Sequence, residues 1–204
     1  MSTRPPPKPW PMKWVVLAII VFIPLYTYLT LHFRRRDPVY EPYEEARDRA
    51  TVDRLLASGY RRVDLTAMRP TERLRPAMPA RVTDASGGLP AGLKTALVAA
   101  PLLPATVSQV AAASETGAAQ PYFIDFTAGL PDETEELMDA QAYVRKGELV
   151  IVPNFERVSG ALLVRSTETA VRLTVPAGVL APGRYRVALV ARRDTRTWEL
   201  TVTR

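Results

Sequence analysis

Apolar residues run from position 14 to 33 without a single Asp, Glu, Lys or Arg, and Arg34, Arg35 and Arg36 close the run. Twenty such residues, each rising about 1.5 Å, span about 30 Å, the hydrocarbon thickness of a bilayer. Backbone polar groups in hydrocarbon must pair within the segment, so a lone run of this kind crosses as a helix. A cleaved secretory signal has a shorter apolar stretch ending in small residues, whereas three arginines resemble a stop-transfer signal. The pattern therefore predicts a retained single-pass anchor that meets the lipid bilayer through residues 14–33. Pro24 removes one helix hydrogen bond at mid-span and allows a kink. Tyr26, Tyr28, Trp10 and Trp14 suit interfacial or near-interfacial positions, and the two tyrosines also lie deep enough to face a partner helix; other membrane-protein subunits are the expected partners.

Beyond the anchor the periodicity changes. Residues 1–13, with Pro5-Pro6-Pro7 and Pro9-Trp10-Pro11, predict a flexible or polyproline-like tail. Pro38 and Pro42 interrupt any continuation of the membrane helix, and residues 34–59 then read as a juxtamembrane linker and helix. That helix is expected over residues 43–58, with Glu44, Glu45 and Asp48 in its early turns, loosely spaced apolar positions, and Gly59 as its stop. Residues 60–204 read as one β-rich domain. Residues 60–66 alternate, with Val63 and Leu65 on one face. Residues 67–120 are rich in Ala, Pro, Thr, Ser and Gly and predict an irregular path; the apolar stretches 93–100 and 105–113 fit either a strand or a helix, and 84–88 reads as a loop. Residues 122–126 predict a strand, 131–140 a short helix with Pro131 in its first turn, and 142–145 and 148–152 a pair joined through Lys146-Gly147. Further strands are expected at 161–165 and 171–175. Residues 185–192 and 197–203 alternate on both sides of a turn at 193–196, with Val187, Leu189 and Ala191 on one face and Trp198, Leu200 and Val202 on the matching face. Short strands spaced by turns predict a mainly β chain: a transmembrane helix, a juxtamembrane helix and a C-terminal immunoglobulin-like antiparallel β-sandwich.

Chemistry enters mostly by exclusion. The chain has no cysteine, so disulfides, thiol catalysis and thiolate metal sites do not arise. Its one histidine, His32, sits at the membrane boundary, which removes a histidine-based triad. The acidic run Asp132, Glu133, Glu135, Glu136 and Asp139 has the oxygen ligands a hard cation prefers. Helical spacing would scatter those carboxylates around the axis, so the run reads as a solvated helix N-terminus. Net charge is +6, carried by 23 arginines against four lysines. Arg165, Arg172, Arg184, Arg186, Arg192 and Arg193 read as the solvated sides of strands, where such charges also protect sheet edges. A nucleic-acid partner is not expected, because no recognised motif with exposed aromatics accompanies them. No catalytic, cofactor-binding or metal site is predicted, and no cofactor is implied.

The tail with Pro9-Trp10-Pro11, the single anchor and the late strand entry Leu180-Ala181-Pro182-Gly183-Arg184-Tyr185-Arg186-Val187 are similar in layout to FixH-like proteins of cytochrome oxidase assembly. The resemblance implies a small single-pass protein with an extracytoplasmic β-domain linked to oxidase maturation; no functional residue carries over. Flanking charge gives Arg4, Lys8 and Lys13 before the anchor and Arg34–Arg36, Arg47 and Arg49 after it, a slight lean toward a cytoplasmic C-terminus. Long domains translocate largely regardless of charge, so the expectation is a bacterial inner-membrane protein with its C-terminal domain outside. The expected role is a non-enzymatic accessory or assembly subunit of an envelope complex, with a tethered binding module for a glycan or lipid as the alternative.

Overall fold

The computed structural model describes residues 12–34, 43–130, 135–157 and 167–204. Among the described residues the chain is mainly β. It divides into two compact units, Met1–Glu45 and Ala46–Arg204.

The first unit contains α1, Met12–Arg34, with Pro24 inside it. Its window Met12–Thr30 has a mean hydropathy of 1.9 and none of it is buried, so the helix is long and apolar enough to cross a membrane. The Thr30 hydroxyl donates to the Tyr26 carbonyl at 2.7 Å, which keeps that polar group inside the helix's own hydrogen bonding. Phe22 and Tyr26, one turn apart, stack with centroids 6.0 Å apart.

The second helix, α2 (Tyr43–Ala57), ends as the sequence requires. Tyr60 N–H donates to Leu55 O at 2.8 Å and Gly59 N–H to Leu56 O at 3.0 Å, with Gly59 at φ +77°. This is a Schellman stop, which needs a left-handed residue just past the helix and is sealed by an apolar contact across it. Leu55 and Tyr60 supply that contact and are both buried. Strands β1 (Arg61–Met68), β2 (Thr83–Ser86), β3 (Thr106–Ala112), β4 (Glu115–Gly117) and β5 (Tyr122–Gly129) follow, with helix α3 (Ala91–Ala96) between β2 and β3. The chain then adds β6 (Glu135–Arg145), β7 (Glu148–Arg157), β8 (Glu168–Val175), β9 (Gly183–Val190) and β10 (Asp194–Thr203).

The strands form one curled sheet in the order β2-β10-β9-β7-β6-β1-β8-β5-β3, with β4 beside β10. Its two halves face each other across a shared core. From one half come Val107, Ile124, Phe126, Val171 and Leu173; from the other, Leu149, Ile151, Val187, Leu189, Trp198 and Leu200. Strand β1 stitches the halves together, pairing through Arg61–Leu65 with β6 and through Thr66–Met68 with β8. On the opposite side Val107 N–H donates to Asp194 Oδ1 at 3.0 Å, and Arg196 Nε donates to Val107 O at 2.8 Å. These two side chains of β10 pair with β3 as a neighbouring strand would, covering an edge that would otherwise invite another chain. Arg196 also bridges to Asp84 on β2.

The predicted hairpin is present with the predicted faces, but its turn falls at 191–193 and not at 193–196, because Thr195 and Arg196 already pair with Val190 and Leu189. Trp198 lies opposite Val187, and Val187, Leu189, Ala191, Trp198, Leu200 and Val202 are all buried. The Trp198 indole N–H donates to Tyr122 Oη at 2.9 Å, and that hydroxyl donates to Ala113 O at 2.8 Å, so both buried polar groups are satisfied. Burial pushes the Tyr122 phenol well above its ordinary value, partly opposed by the Trp198 bond. At the entry to β9, Tyr185 Oη donates to the Ala181 carbonyl at 2.9 Å. Immunoglobulin-like sandwiches use such a tyrosine corner to lock the turn between their halves. Two pairings are parallel, β7 with β9 and β4 with β10. The first is reached by crossing through β8 in the other half, a connection long enough for parallel strands.

Two sequence expectations change. Residues 135–140 are strand, not helix: β7 offers a continuous partner from Arg157 to Glu148, and a bulge between Leu137 and Asp139 absorbs the mismatch. Residues 83–86, which overlap the loop expected at 84–88, pair instead with β10 at Asp194–Thr197. The rest of 67–120 holds α3, β3 and β4. The expected strand at 161–165 and residues 131–134 lie outside the described residues.

Candidate functional site

The outer face of the β6–β7–β9–β10 half carries a second apolar layer. Leu55, Tyr60, Leu93, Ala96 and Leu103 cover Tyr143, Val150, Val152 and Val190. Full burial of each large side chain contributes about 1.5–3 kcal/mol, so this layer fixes α2 and α3 on the sheet.

Where the layer stops, a cleft of about 350 Å³ opens. Its floor is Val150, Ala188, Val190, Thr195 and Thr197, and one wall is the Gly87-Gly88-Leu89-Pro90 segment. Gly87 is required there: a Cβ would fall 2.3 Å from the Arg193 carbonyl carbon. Gly88 N–H donates to Ala191 O at 2.8 Å, which ties the wall to the β9–β10 turn. The far end is built by the β6–β7 turn. Arg145 stacks 4.5 Å over the Tyr60 ring and pairs with Glu148 at 2.9 Å. Gly147, at φ +77°, accepts from Arg186 N–H at 2.7 Å. Arg186 is exposed at the cleft's edge. The Thr195 hydroxyl is buried below the floor with no hydrogen-bond partner. The exposed Arg186 and the Glu148-paired Arg145 at one end, beside an apolar middle, suit a small polar ligand bearing negative charge.

A second cleft of about 280 Å³ is lined by Arg47, Asp48, Arg62, Gln141, Tyr143 and Asn154 among others. Tyr143 donates to Gln141 Oε1 at 2.7 Å. Burial pushes its phenol up to about 12, with Arg62 opposing and Asp139 and Asp64 adding to the rise.

The opposite outer face, on β5 and β8, holds a largely buried, two-pronged ion pair. Asp125, 3% exposed, accepts Arg172 Nε at 2.6 Å, Arg172 Nη2 at 2.8 Å and Leu74 N–H at 2.7 Å. Arg172 Nη2 also donates to Glu72 O at 2.7 Å, and its bond to Asp125 raises the guanidinium further above its ordinary value. The pair therefore clamps residues 69–78 as a strap running from β1 across β8 and β5.

The sequence-derived candidates separate in space. Asp132 and Glu133 lie outside the described residues, while Glu135, Glu136 and Asp139 sit on β6 opposite Arg157, Glu156 and Asn154. Among the described residues no group of three or more His, Cys, Asp or Glu side chains could hold a metal ion. Arg172 is a half-buried clamp, not a solvated strand side; Arg184 and Arg186 are exposed on β9; Arg192 donates to Leu103 O at 3.0 Å; Arg193 N–H donates to Ala105 O at 3.0 Å. Arg165 lies outside the described residues. The clamp had one sequence signal, a lone Asp within the apolar run Tyr122-Phe123-Ile124-Asp125-Phe126. The cleft had none, because its walls come from segments far apart in the chain. No protein-family model, curated protein or solved structure matches this chain.

Proposed function

We propose that this chain is a membrane-anchored, non-enzymatic accessory or assembly subunit of a bacterial envelope complex, sited in the inner membrane with its β-domain outside the cytoplasm. The observation that carries the reading is the pairing of a fully exposed, membrane-length apolar helix with a separate compact β-domain in the same chain. A helix with apolar side chains all round needs lipid or neighbouring helices. The FixH-like layout favours a respiratory oxidase as the complex served. Affinity purification of the full chain in mild detergent tests this: a stoichiometric set of other membrane proteins is expected, and a monodisperse chain alone overturns it.

The cleft beside Arg145 and Arg186 favours a second reading, a tethered module for a small anionic envelope ligand. In that case the chain purifies alone, and Arg186→Ala, which alters an exposed side chain, reduces ligand retention without changing stability.

A further inference from the structure

We propose that the strapped outer face of the β5–β8 half docks on an anionic lipid surface. This goes beyond the subunit reading and rests on its anchor alone. The strap, residues 69–78, carries Arg69, Arg73 and Arg75 against the single acid Glu72. All three arginines are exposed. Asp125 is neutralised beneath them by Arg172, and among the described residues Arg69 and Arg75 form no ion pair. Beside this positive charge lie three large apolar side chains left in solvent: Met68 is 49% exposed, Met78 56% and Phe123 38%. Met68 precedes the strap, Met78 ends it, and Phe123 stands on the same face, one row along the sheet from Asp125.

Arginines that meet headgroups, with apolar side chains that enter the acyl boundary, are the pairing an anionic bilayer surface selects. The strap is also held in place before any contact. Its backbone is fixed at Glu72 by Arg172 and at Leu74 by Asp125, while Arg73 Nη2 reaches Thr127 Oγ1 at 3.3 Å, so docking orders little new chain. Because the chain carries its own membrane-length helix, encounter with lipid is intramolecular and weak contacts suffice.

The absence of native cysteine allows a direct test with the full chain in nanodiscs. A fluorophore on Met78→Cys is read for quenching by spin-labelled lipid, with Lys94→Cys on α3 as the comparison site. Discs contain phosphatidylcholine alone or mixed with phosphatidylglycerol. Docking predicts quenching at position 78 in the mixed discs, little in neutral discs and little at position 94. Salt at about 1 M, where the screening length is about 3 Å, should reverse it. Arg69→Gln with Arg75→Gln should lower the docked-to-free ratio about 30-fold, about fivefold per arginine. Equal quenching in both lipids, no quenching at 78, or no effect of the double variant overturns the proposal. Protection of position 78 found only in native membranes would assign the face to a protein partner and overturn it equally. A chain that fails to enter discs at all would refute the anchor, a result distinct from an inserted but undocked chain.

Discussion

Replacing Asp125 by Ala removes one carboxylate and breaks three hydrogen bonds. Arg172 Nε and Nη2 lose partners at 2.6 and 2.8 Å, and Leu74 N–H loses one at 2.7 Å. Breaking a buried ion pair from one side costs about 3–5 kcal/mol, because the remaining charge stays buried without compensation. The Arg172 side chain is 23% exposed and recovers some hydration, which places the expectation at the lower end, about 3 kcal/mol. With a urea slope of about 2 kcal/mol/M, the midpoint falls by about 1.5 M. The same change frees the strap, so amide exchange at Leu74 should accelerate more than exchange in β9 or β10. Asp125→Val combined with Arg172→Met removes both charges and should cost clearly less than the two single changes added together, the mark of a coupled pair. A midpoint within about 0.3 M of the parent's, with unchanged exchange at Leu74, would refute the clamp.

Trp198→Ala should cost about 3–5 kcal/mol in chemical unfolding, since the ring is buried between the halves of the sheet. Tyr122→Phe should cost about 1–3 kcal/mol, because it leaves the Trp198 N–H without its acceptor; parent-like melting of either variant contradicts the core assignment. The Tyr143 phenol is raised from 10.0 to about 12 in the folded protein, chiefly by burial. The folded state thus prefers the protonated phenol, so the contribution is complete below pH 10 and is lost as pH rises through 12. Stability should fall by up to about 3 kcal/mol over that window, and Tyr143→Phe should flatten the fall in melting scans against pH; an identical slope in the variant would contradict it.

Local signals were readable where a segment's own pattern matched its burial. The β9–β10 hairpin alternates cleanly, Gly59 supplies the left-handed stop of α2, and Lys146-Gly147 joins β6 to β7. Misreadings arose where a distant partner decided the outcome. Pro131 followed by Asp132, Glu133, Glu135 and Glu136 imitates a helix start, yet Glu135 onward pairs along β7, which overrides local propensity. Asp84, Ala85 and Ser86 look like loop residues, but β10 offers them an open edge. There Thr83 Oγ1 lies 2.9 Å from Thr197 Oγ1. The Asp125–Arg172 clamp joins residues far apart in the chain, and the cleft is assembled from the β2–α3 connection and the β6–β7 turn; neither composition nor periodicity encodes such meetings.

Membrane fractionation of the intact chain beside a version lacking residues 1–36 tests the central claim most directly. The account predicts that the intact chain stays with the membrane through alkaline carbonate washing, while the shortened one is soluble and unfolds cooperatively, since the apolar run lies wholly within the deleted part. A shortened chain that still sediments with membranes, or an intact chain released by carbonate, would contradict it.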